Sequence, residues 1–291
     1  PAAPLLIGRY VFEMGIVISA SHNPYADNGI KFFGRDGAKL PDDAEARVEA
    51  AVASAPGAPL ALGSVRDLHG AFDDYLRELT GAFSFDLSGL HVVLDCANGS
   101  TYRAAPAVFE QLGARVEVLC SEPDGRNINE GCGSTHPERL AERVVESGAD
   151  LGFAYDGDGD RVIAVDEQGE TRDGDELIAL IAGHLRESGE LGGGVAVTVM
   201  SNYGFHSAMA EAEVEVATTP VGDRHVSSEL ARRGWALGGE QSGHVIWTSF
   251  APTGDGIAAS LLTARALAGR PLAEAIPMTK LPQTLVNVEV A

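Results

Sequence analysis

The chain has 291 residues, of which 45% are hydrophobic, so it is long enough for two or three domains with substantial cores. Its formal net charge at pH 7 is −21, from 21 Lys and Arg residues against 42 Asp and Glu residues, which argues against nucleic acid and anionic membranes as partners. No apolar run approaches the roughly 20 residues of a membrane span and no signal peptide is visible, so we expect a cytoplasmic protein without a membrane partner.

The three cysteines, Cys96, Cys120 and Cys132, are an odd number in no metal-like spacing. This pattern favours reduced thiols over a disulfide framework. We predict buried, inert packing for Cys96 and Cys120, because free cysteine is among the most buried residue types.

The first predicted unit, residues 1–83, is organised around a strand that delivers a polar loop. A short helix over 1–14 precedes the apolar run Ile16–Ile18, which is typical of a buried strand. Small and polar residues follow, including Ser21 and His22, and end at the turn dipeptide Asn23-Pro24. A serine and a histidine in such a loop suggest nucleophilic or phosphoryl chemistry, although an ordinary polar turn has the same composition.

Local sequence signals also predict the remaining elements of this unit. The sequence predicts a strand over 30–33, a turn over 34–37, helices over 41–53 and 69–79, and a loop over 55–63 between the helices.

The second predicted unit, residues 84–171, begins with a β-α-β segment. The expected elements are a strand over 91–97, a helix capped by 98–101 and running to 112, and a strand over 116–119. The short connections predict a parallel pair of strands. A helix over 137–147 and strands over 151–154 and 162–165 follow.

The third predicted unit, residues 172–277, is another α/β domain. Its elements, in order, are predicted at 176–186 (helix), 193–199 (strand), 204–211 (helix), 214–218 (strand), 226–233 (helix), 235–237 and 244–247 (strands) and 256–267 (helix). Residues 278–291 then begin a further unit, with a strand over 282–290. The fold class is therefore α/β, with consecutive three-layer domains and mixed sheets around a central cleft.

The strongest local signal is Asp156-Gly-Asp158-Gly-Asp160, three carboxylates at alternate positions separated by glycines. Hard oxygen ligands at this density indicate Mg²⁺ or Ca²⁺, and without a cation the like charges would repel. An EF-hand is the alternative interpretation, in which Glu167 takes the twelfth position of the calcium-binding loop. That reading is disfavoured because Arg161 occupies the sixth position, where an EF-hand needs glycine, and because apolar strand residues flank the motif.

A third candidate site is the glycine-flanked turn from Gly238 to His244. Its Glu240 and Ser242 side chains can accept from and donate to sugar hydroxyls, although a plain hairpin turn has similar composition.

Together these motifs resemble the α-D-phosphohexomutase family. The resemblance rests on Ala20-Ser-His-Asn-Pro24, Asn28-Gly-Ile-Lys31, Asp156-Gly-Asp-Gly-Asp-Arg161 and Gly239-Glu-Gln-Ser-Gly-His244, with weaker matches at Asn127–Asn129, Cys132–Ser134, Thr198–Asn202, Val221–Arg224 and Thr253–Ile257. The variant with Gln between Glu and Ser is similar to the phosphoglucosamine mutase branch.

The resemblance implies a role for each motif. Ser21 would carry a phosphoryl group, and Mg²⁺ would be held by Asp156, Asp158, Asp160 and a phosphoserine oxygen. Arg161 would lie beside the phosphoryl group, and Glu240 and Ser242 would grip two ring hydroxyls.

The implied reaction interconverts glucosamine 6-phosphate and glucosamine 1-phosphate through a hexose bisphosphate, which is also a candidate activator. His22, Lys31 and His244 are candidates for moving protons or contacting phosphate. Arg224 either contacts phosphate or caps the following helix. The expected partner is a phosphorylated hexosamine, and a homodimer is left open.

Two family segments are not found in the sequence: the first-domain start, similar to G-T-D-G-I-R-G, and the fourth-domain loop, similar to R-x-S-G-T-E-P. We therefore expect a fragment of a longer protein. Three alternatives stay open: phosphomannomutase or phosphoglucomutase activity, a serine hydrolase using Ser21 and His22, and an inactive Mg²⁺-binding remnant. The hydrolase lacks a G-x-S-x-G elbow, and adjacent residues in an extended loop usually point apart.

Overall fold

A computed structural model describes residues 1–54, 63–284 and 286, and in them three sheets pack against helices. The largest sheets combine parallel and antiparallel pairs, so the predicted α/β class with mixed sheets is confirmed.

The first region contains a two-stranded antiparallel ribbon. Its elements are α1 (Ala2–Tyr10), β1 (Met14–Ser19), β2 (Gly29–Gly34), α2 (Asp42–Ala53) and α3 (Ala71–Ala82). Ser19 pairs with Gly29 at the end of the ribbon, so residues 20–28 form the loop between the strands.

The prediction of a buried strand at Ile16–Ile18 is wrong about burial. Strand β1 alternates between exposed and half-buried residues, with Ile16 56% and Ile18 71% exposed. Helix α1 covers the other face, where the side chain of Ile7 reaches Gly15. An apolar run forms a fully buried strand only when both faces of its sheet are covered.

The second sheet has the strand order β4-β3-β5-β6-β7. Its region contains β3 (His91–Asp95), α4 (Ala104–Gln111), β4 (Arg115–Leu119), α5 (Glu138–Ser147), β5 (Leu151–Tyr155), β6 (Val162–Asp166) and β7 (Thr171–Arg172). Strand β3 is parallel to β4 and β5, which confirms the predicted parallel pair, and β6 is antiparallel to β5.

The helix cap predicted at 98–101 is not observed. These residues lead into a short 3₁₀ turn, Ser100–Tyr102, before α4. The Asn98 side chain donates instead to the carbonyl oxygen of Asn127, and Asn98 itself has a positive φ of 45°, outside the helical range.

The third sheet has the strand order β11-β10-β8-β9, with a parallel β10-β8-β9 core and antiparallel β11. Its region contains α6 (Gly174–Ser188), β8 (Gly194–Thr198), α7 (Tyr203–Glu211), β9 (Glu215–Thr219), α8 (Asp223–Arg233), β10 (Leu237–Gly239), β11 (Val245–Trp247), α9 (Gly256–Leu267) and α10 (Leu272–Ala275).

Helices α6 and α9 join the second and third sheets into one core. Both helices contact β6, while α6 also packs on β10 and α9 on β11. Asp173 starts α6 with a capping box: its carboxylate accepts from two backbone N–H groups, and Glu176 reaches back to the Asp173 N–H. The metal-motif loop and the Glu240 turn therefore belong to a shared, rigid core.

Residues 281–284 are in neither helix nor strand, and the rest of the strand predicted over 282–290 lies largely outside the described residues. The loop predicted over 55–63 also lies almost entirely outside them. Among the described helices, we find no apolar stretch that reaches the length of a bilayer crossing.

Candidate active site

The three aspartates of the metal motif lie in the tight connection between β5 and β6. Asp156, Asp158 and Asp160 are buried, and one carboxylate oxygen from each lies within 4.8 Å of the others. Because both flanking elements are strands, the EF-hand alternative is wrong. The geometry instead gives a strand-to-strand turn with convergent oxygen ligands.

The electrostatics of this cluster fit a divalent cation. Burial, followed by the charges of Asp160 and Asp158, raises the pKa of Asp156 to about 8. One carboxylate oxygen of Asp158 and one of Asp160 are buried without a hydrogen-bond partner. Three buried carboxylates, two of which have an unpaired oxygen, are a donor set suited to Mg²⁺ or Ca²⁺.

Ser21 meets this cluster although 135 residues separate it from Asp156 in sequence. Its hydroxyl donates to the Asp156 carboxylate at 3.2 Å, and its backbone carbonyl accepts from the Gly157 N–H at 3.0 Å. Ser21 has φ 52°, a left-handed conformation that is uncommon for a non-glycine residue. A Cβ on Gly157 would lie 2.6 Å from the Ser21 carbonyl oxygen, so only glycine permits this approach.

Asn129 is a buried side chain to which the sequence analysis assigned no role. Its amide donates to the carbonyl oxygens of Ser21 at 2.7 Å and Asn23 at 2.8 Å, which holds the loop against the metal motif. The motif Asn127–Asn129 was visible in the sequence, but its contact with a loop more than 100 residues away depends on tertiary structure.

Lys31 lies in β2, which follows the loop, and faces the same aspartates. Its ammonium group donates to Asp158 at 2.7 Å and to Asp160 at 3.0 Å. Burial acts to lower the pKa of Lys31, but the charges of Asp160 and Asp158 outweigh it and the pKa is raised. A lysine that stays protonated is suited to balancing charge or holding a phosphate, and poorly suited to accepting a proton.

His22 and Arg161 each present a buried nitrogen without a hydrogen-bond partner, Nδ1 and Nε respectively. Burial, followed by the positive charge of Arg161, lowers the pKa of His22. The backbone N–H of Arg161 donates to Asp156 at 3.1 Å, so the base of this side chain is fixed at the cluster. Each side chain thus keeps one nitrogen that is free of a protein partner, and that of Arg161 is always a donor.

The Glu240 turn lies next to the metal motif. The Val162 N–H donates to the carbonyl oxygen of Gly243 at 3.0 Å, which ties the turn to the start of β6. Glu240 is half-buried and accepts from the Gly222 N–H at 3.1 Å, while Ser242 is exposed. The exposed hydroxyl and the second carboxylate oxygen are available to a polar ligand.

His244 connects the turn to the aspartates. Its Nδ1 lies 3.6 Å from Asp160, and its Nε2 accepts from the Gly254 N–H at 3.1 Å. Asp223 lies 3.5 Å from the same ring and pairs with Lys39 of the first region. No sequence signal singled out Lys39.

Arg224 lies at the beginning of α8, where its guanidinium pairs with Glu45 at 2.9 Å. This contact joins α8 to α2 across the cleft between the first and third regions. The structure therefore brings Ser21, His22, Lys31, Arg161 and His244 around the aspartates, with Glu240 and Ser242 on an adjoining turn and Arg224 at the rim.

Comparison with known proteins gives a consistent result. Models of the phosphoglucomutase/phosphomannomutase α/β/α domains I, II and III match residues 1–57, 73–169 and 173–281, respectively. A phosphoglucosamine mutase of Desulforudis audaxviator is 52% identical over 95% of this chain and 63% of its own length. The phosphoglucosamine mutase of Moorella thermoacetica is 50% identical over 100% of this chain and 67% of its own length.

The fold is also similar to that of solved structures. One is Aspergillus fumigatus N-acetylphosphoglucosamine mutase in complex with GlcNAc-6P and magnesium, with a TM-score of 0.70 at 20% identity. The match covers 100% of this chain and 78% of that chain. At this identity the likeness concerns the fold.

Proposed function

The chain belongs to the phosphoglucomutase/phosphomannomutase family of α-D-phosphohexomutases, and we propose that it carries the phosphoserine, metal and sugar loops of a phosphoglucosamine mutase. The proposed reaction interconverts glucosamine 6-phosphate and glucosamine 1-phosphate through a hexose bisphosphate. One observation carries it: the Ser21 hydroxyl contacts Asp156, which places a nucleophilic oxygen against a buried cluster of hard ligands. The chain spans 63–67% of these relatives' lengths, so the activity of the whole protein is part of the proposal.

Phosphorylated Ser21 is the proposed phosphoryl donor. The Oγ–P bond of Ser21 breaks as a sugar hydroxyl oxygen forms a new O–P bond, and the hydroxyl proton passes to a base. The sugar, now a bisphosphate, turns over and returns its other phosphoryl group to Ser21 Oγ by the reverse step. The proposed contribution of Arg161 is positive charge near the transferring oxygens, where positioned charge provides most of the catalysis, and that of His22 is an unpaired ring nitrogen beside them.

The residues that would hold a metal are Asp156, Asp158, Asp160 and an oxygen on Ser21. Bound there, Mg²⁺ would neutralise charge on the transferring phosphoryl group. Lys31 already balances Asp158 and Asp160, and His244 links Asp160 to the turn that would receive the sugar.

Sugar recognition is proposed for Glu240 and Ser242. A carboxylate and a hydroxyl on one glycine-flanked turn can accept from and donate to adjacent ring hydroxyls. Arg224, held at the cleft rim by Glu45, is a proposed contact for the substrate phosphate. The Aspergillus complex contains a phosphorylated amino sugar and magnesium, which supports both ligand classes for this chain.

Phosphomannomutase or phosphoglucomutase activity is the alternative within the family. The serine hydrolase alternative loses support, because the Ser21 hydroxyl donates to a carboxylate of the acidic cluster instead of pairing with His22. The third alternative is an inactive remnant, which would bind Mg²⁺ but would not convert any sugar phosphate.

Domain organisation, location and oligomeric state are also proposed for this protein. We place domain boundaries at 1–83, 84–171, 172–277 and 278–291, and we expect a cytoplasmic protein that could form a homodimer. Size-exclusion chromatography with light scattering measures the oligomeric state directly.

The decisive experiment compares substrates on the full-length protein that contains this chain. Purified protein with Mg²⁺ and a trace of hexose bisphosphate should convert glucosamine 6-phosphate with a higher kcat/KM than mannose 1-phosphate or glucose 1-phosphate. Intact-mass analysis should find one phosphoryl group, located on Ser21. Preference for a neutral sugar would move the assignment to the alternative mutases. Metal binding without turnover of any of the three would identify a remnant.

A further inference from the structure

Two of the three cysteines form a cluster outside the proposed active site. The sulfur atoms of Cys120 and Cys132 and a carboxylate oxygen of Asp95 all lie within 4.8 Å of one another. Cys120 follows β4 and is half-buried, while Cys132 is buried. The prediction of buried packing for Cys120 is therefore wrong, because β4 is an edge strand and its end is open to solvent on one side.

We propose that Cys120 and Cys132 are an oxidation site that forms an intramolecular disulfide on exposure to peroxide. The two sulfurs already lie within 4.8 Å of each other, so closure needs an approach of at most about 3 Å. The Cys132 end is firmly held: a Cβ on Gly133 would lie 2.5 Å from the Tyr155 carbonyl oxygen. Gly133 also donates its N–H to Asp95 at 3.0 Å, so movement is expected at Cys120.

The surroundings give the two sulfurs different roles. The guanidinium of Arg139 lies 3.7 Å from the Cys120 sulfur and favours a thiolate there. The neighbouring Cys132 thiol is the largest cause that lowers the pKa of Cys120, and the neighbouring Cys120 sulfur, followed by burial, raises the pKa of Cys132. Cys120 is thus the attacking sulfur and Cys132 the resolving sulfur. Burial raises the pKa of Cys96 to about 12, which makes the third thiol unreactive.

The chemistry balances with peroxide as the oxidant. The Cys120 thiolate attacks one peroxide oxygen and the O–O bond breaks, which gives a sulfenic acid and hydroxide. The Cys132 sulfur then attacks the Cys120 sulfur, the S–O bond breaks, and water leaves with the thiol proton. Two electrons pass from the two sulfurs to the peroxide.

A metal site is less consistent with the same geometry. Both oxygens of Asp95 already accept backbone N–H groups, from Ala97 at 2.9 Å and Gly133 at 3.0 Å. The Arg139 guanidinium and the Asn98 amide also point donors at the two sulfurs. These donors satisfy the ligand atoms, and the positive charge of Arg139 opposes a cation.

The site has a structural consequence for the serine loop. The segment between the two cysteines includes Asn129, whose amide holds the Ser21 and Asn23 carbonyls. A disulfide would join the ends of this segment, so the oxidised protein should differ in amide hydrogen exchange at residues 19–23. The oxidation step itself does not depend on the proposed function.

The test uses hydrogen peroxide on the full-length protein, followed by unfolding, thiol alkylation and peptide mapping. The expected result is loss of two alkylatable thiols, a mass decrease of two hydrogens and a peptide that links Cys120 to Cys132. Reduction should reverse all three changes. Retention of three free thiols, or a link that includes Cys96 or a second chain, would overturn the proposal.

Variants separate the two sulfur roles. Cys132→Ser should stop at the sulfenic acid, which dimedone traps on Cys120, whereas Cys120→Ser should give no dimedone adduct at Cys132. Cys96→Ala is the matched control and should still lose two thiols. If Zn²⁺ protects both thiols from alkylation and stays bound through gel filtration, the cluster is a metal site and the proposal fails. The wild-type peptide map decides the question even if a variant does not fold.

Discussion

The two halves of the site stand on sheets of different construction. Ser21 follows β1 of the ribbon, where residues alternate between exposed and half-buried. The aspartates follow β5, which is buried at every residue, as are its neighbours β3 and β6. Ser21, the proposed nucleophile, therefore lies on a lightly packed ribbon, and the aspartates proposed to hold the metal lie on a buried core.

The difference explains how the loop is positioned. A two-stranded ribbon has limited stability by itself. The Ser21 loop is held instead by contacts from the second region, namely the Gly157 N–H, the Asn129 amide and the Asp156 carboxylate. The rigid core thus determines where the serine lies. Four predictions test this difference between the ribbon and the buried core.

The largest expected effect is on catalysis. Ser21→Ala should lower kcat/KM by roughly 10³-fold or more, because the attacking and accepting oxygen is removed. The measurement is the conversion of glucosamine 6-phosphate by the full-length protein. Ser19→Ala is the matched control: it removes an acceptor of the Ser21 N–H at 2.9 Å and should reduce the rate far less. Equal losses in both variants would mean that Ser21 only shapes the loop.

The next effect compares stability in the two sheets. Leu94→Ala, in the fully buried β3, should lower the free energy of unfolding by about 2–5 kcal/mol, because it leaves a cavity in the core. Ile18→Ala, at a position that is 71% exposed, should cost less than about 1 kcal/mol. Urea unfolding followed by circular dichroism measures both. Similar losses of unfolding free energy in the two variants would show that the face of the ribbon that carries Ile18 is covered in solution.

A third effect concerns the metal. Asp158→Asn should weaken Mg²⁺ binding by about tenfold or more, because it removes one charged oxygen ligand from the cluster. Isothermal titration calorimetry with Mg²⁺ provides the dissociation constant. The exposed Asp73→Asn variant is the control with the same charge change, and its Mg²⁺ affinity should equal that of the wild type. An unchanged affinity in Asp158→Asn would remove this residue from the ligand set.

The smallest effect lies at a contact within the first region, between α1 and α3, the helix that also packs on α4 of the second region. Tyr10 donates to Asp74, and together with the guanidinium of Arg9 this lowers the pKa of the Asp74 carboxyl. A depressed folded-state pKa gives stability that is present above the unfolded value, about 3.9, and is lost as pH falls through the folded value. Asp74→Asn should therefore flatten the decline in unfolding temperature below about pH 4.

Scanning calorimetry between pH 3 and pH 6 measures this decline. Asp73→Asn, one residue earlier in α3 and exposed, should leave the wild-type slope in place. The same slope in both variants would show that the Asp74 contact does not stabilise the packing of α1 on α3.

Much of the fold could be predicted from the sequence because local signals agree with the tertiary structure. The strands in the second and third regions are short apolar runs, and their helices begin and end near glycine, proline or acidic residues, as at Asp173. The prediction was wrong where burial depends on a neighbour. Ile16–Ile18 forms a strand as expected, but nothing in those residues specifies whether a layer covers each face.

The motif residues were also visible in sequence, because three aspartates separated by glycines would repel one another without a cation and because the serine loop follows a predicted strand. The contacts that support these residues could not be predicted from the sequence. Asn129, Lys39 and Asp223 act through partners far away in the chain, and the pairing of Cys120 with Cys132 depends on where β4 ends beside β3.

The sequence by itself determined which residues can do chemistry and which segments form strands and helices, since both depend on side-chain type and local periodicity. Tertiary structure alone decided that Ser21 meets Asp156, that β1 is half exposed and that two thiols lie side by side. The physical reason is that these properties depend on distances between segments more than ten residues apart, which local preferences do not specify.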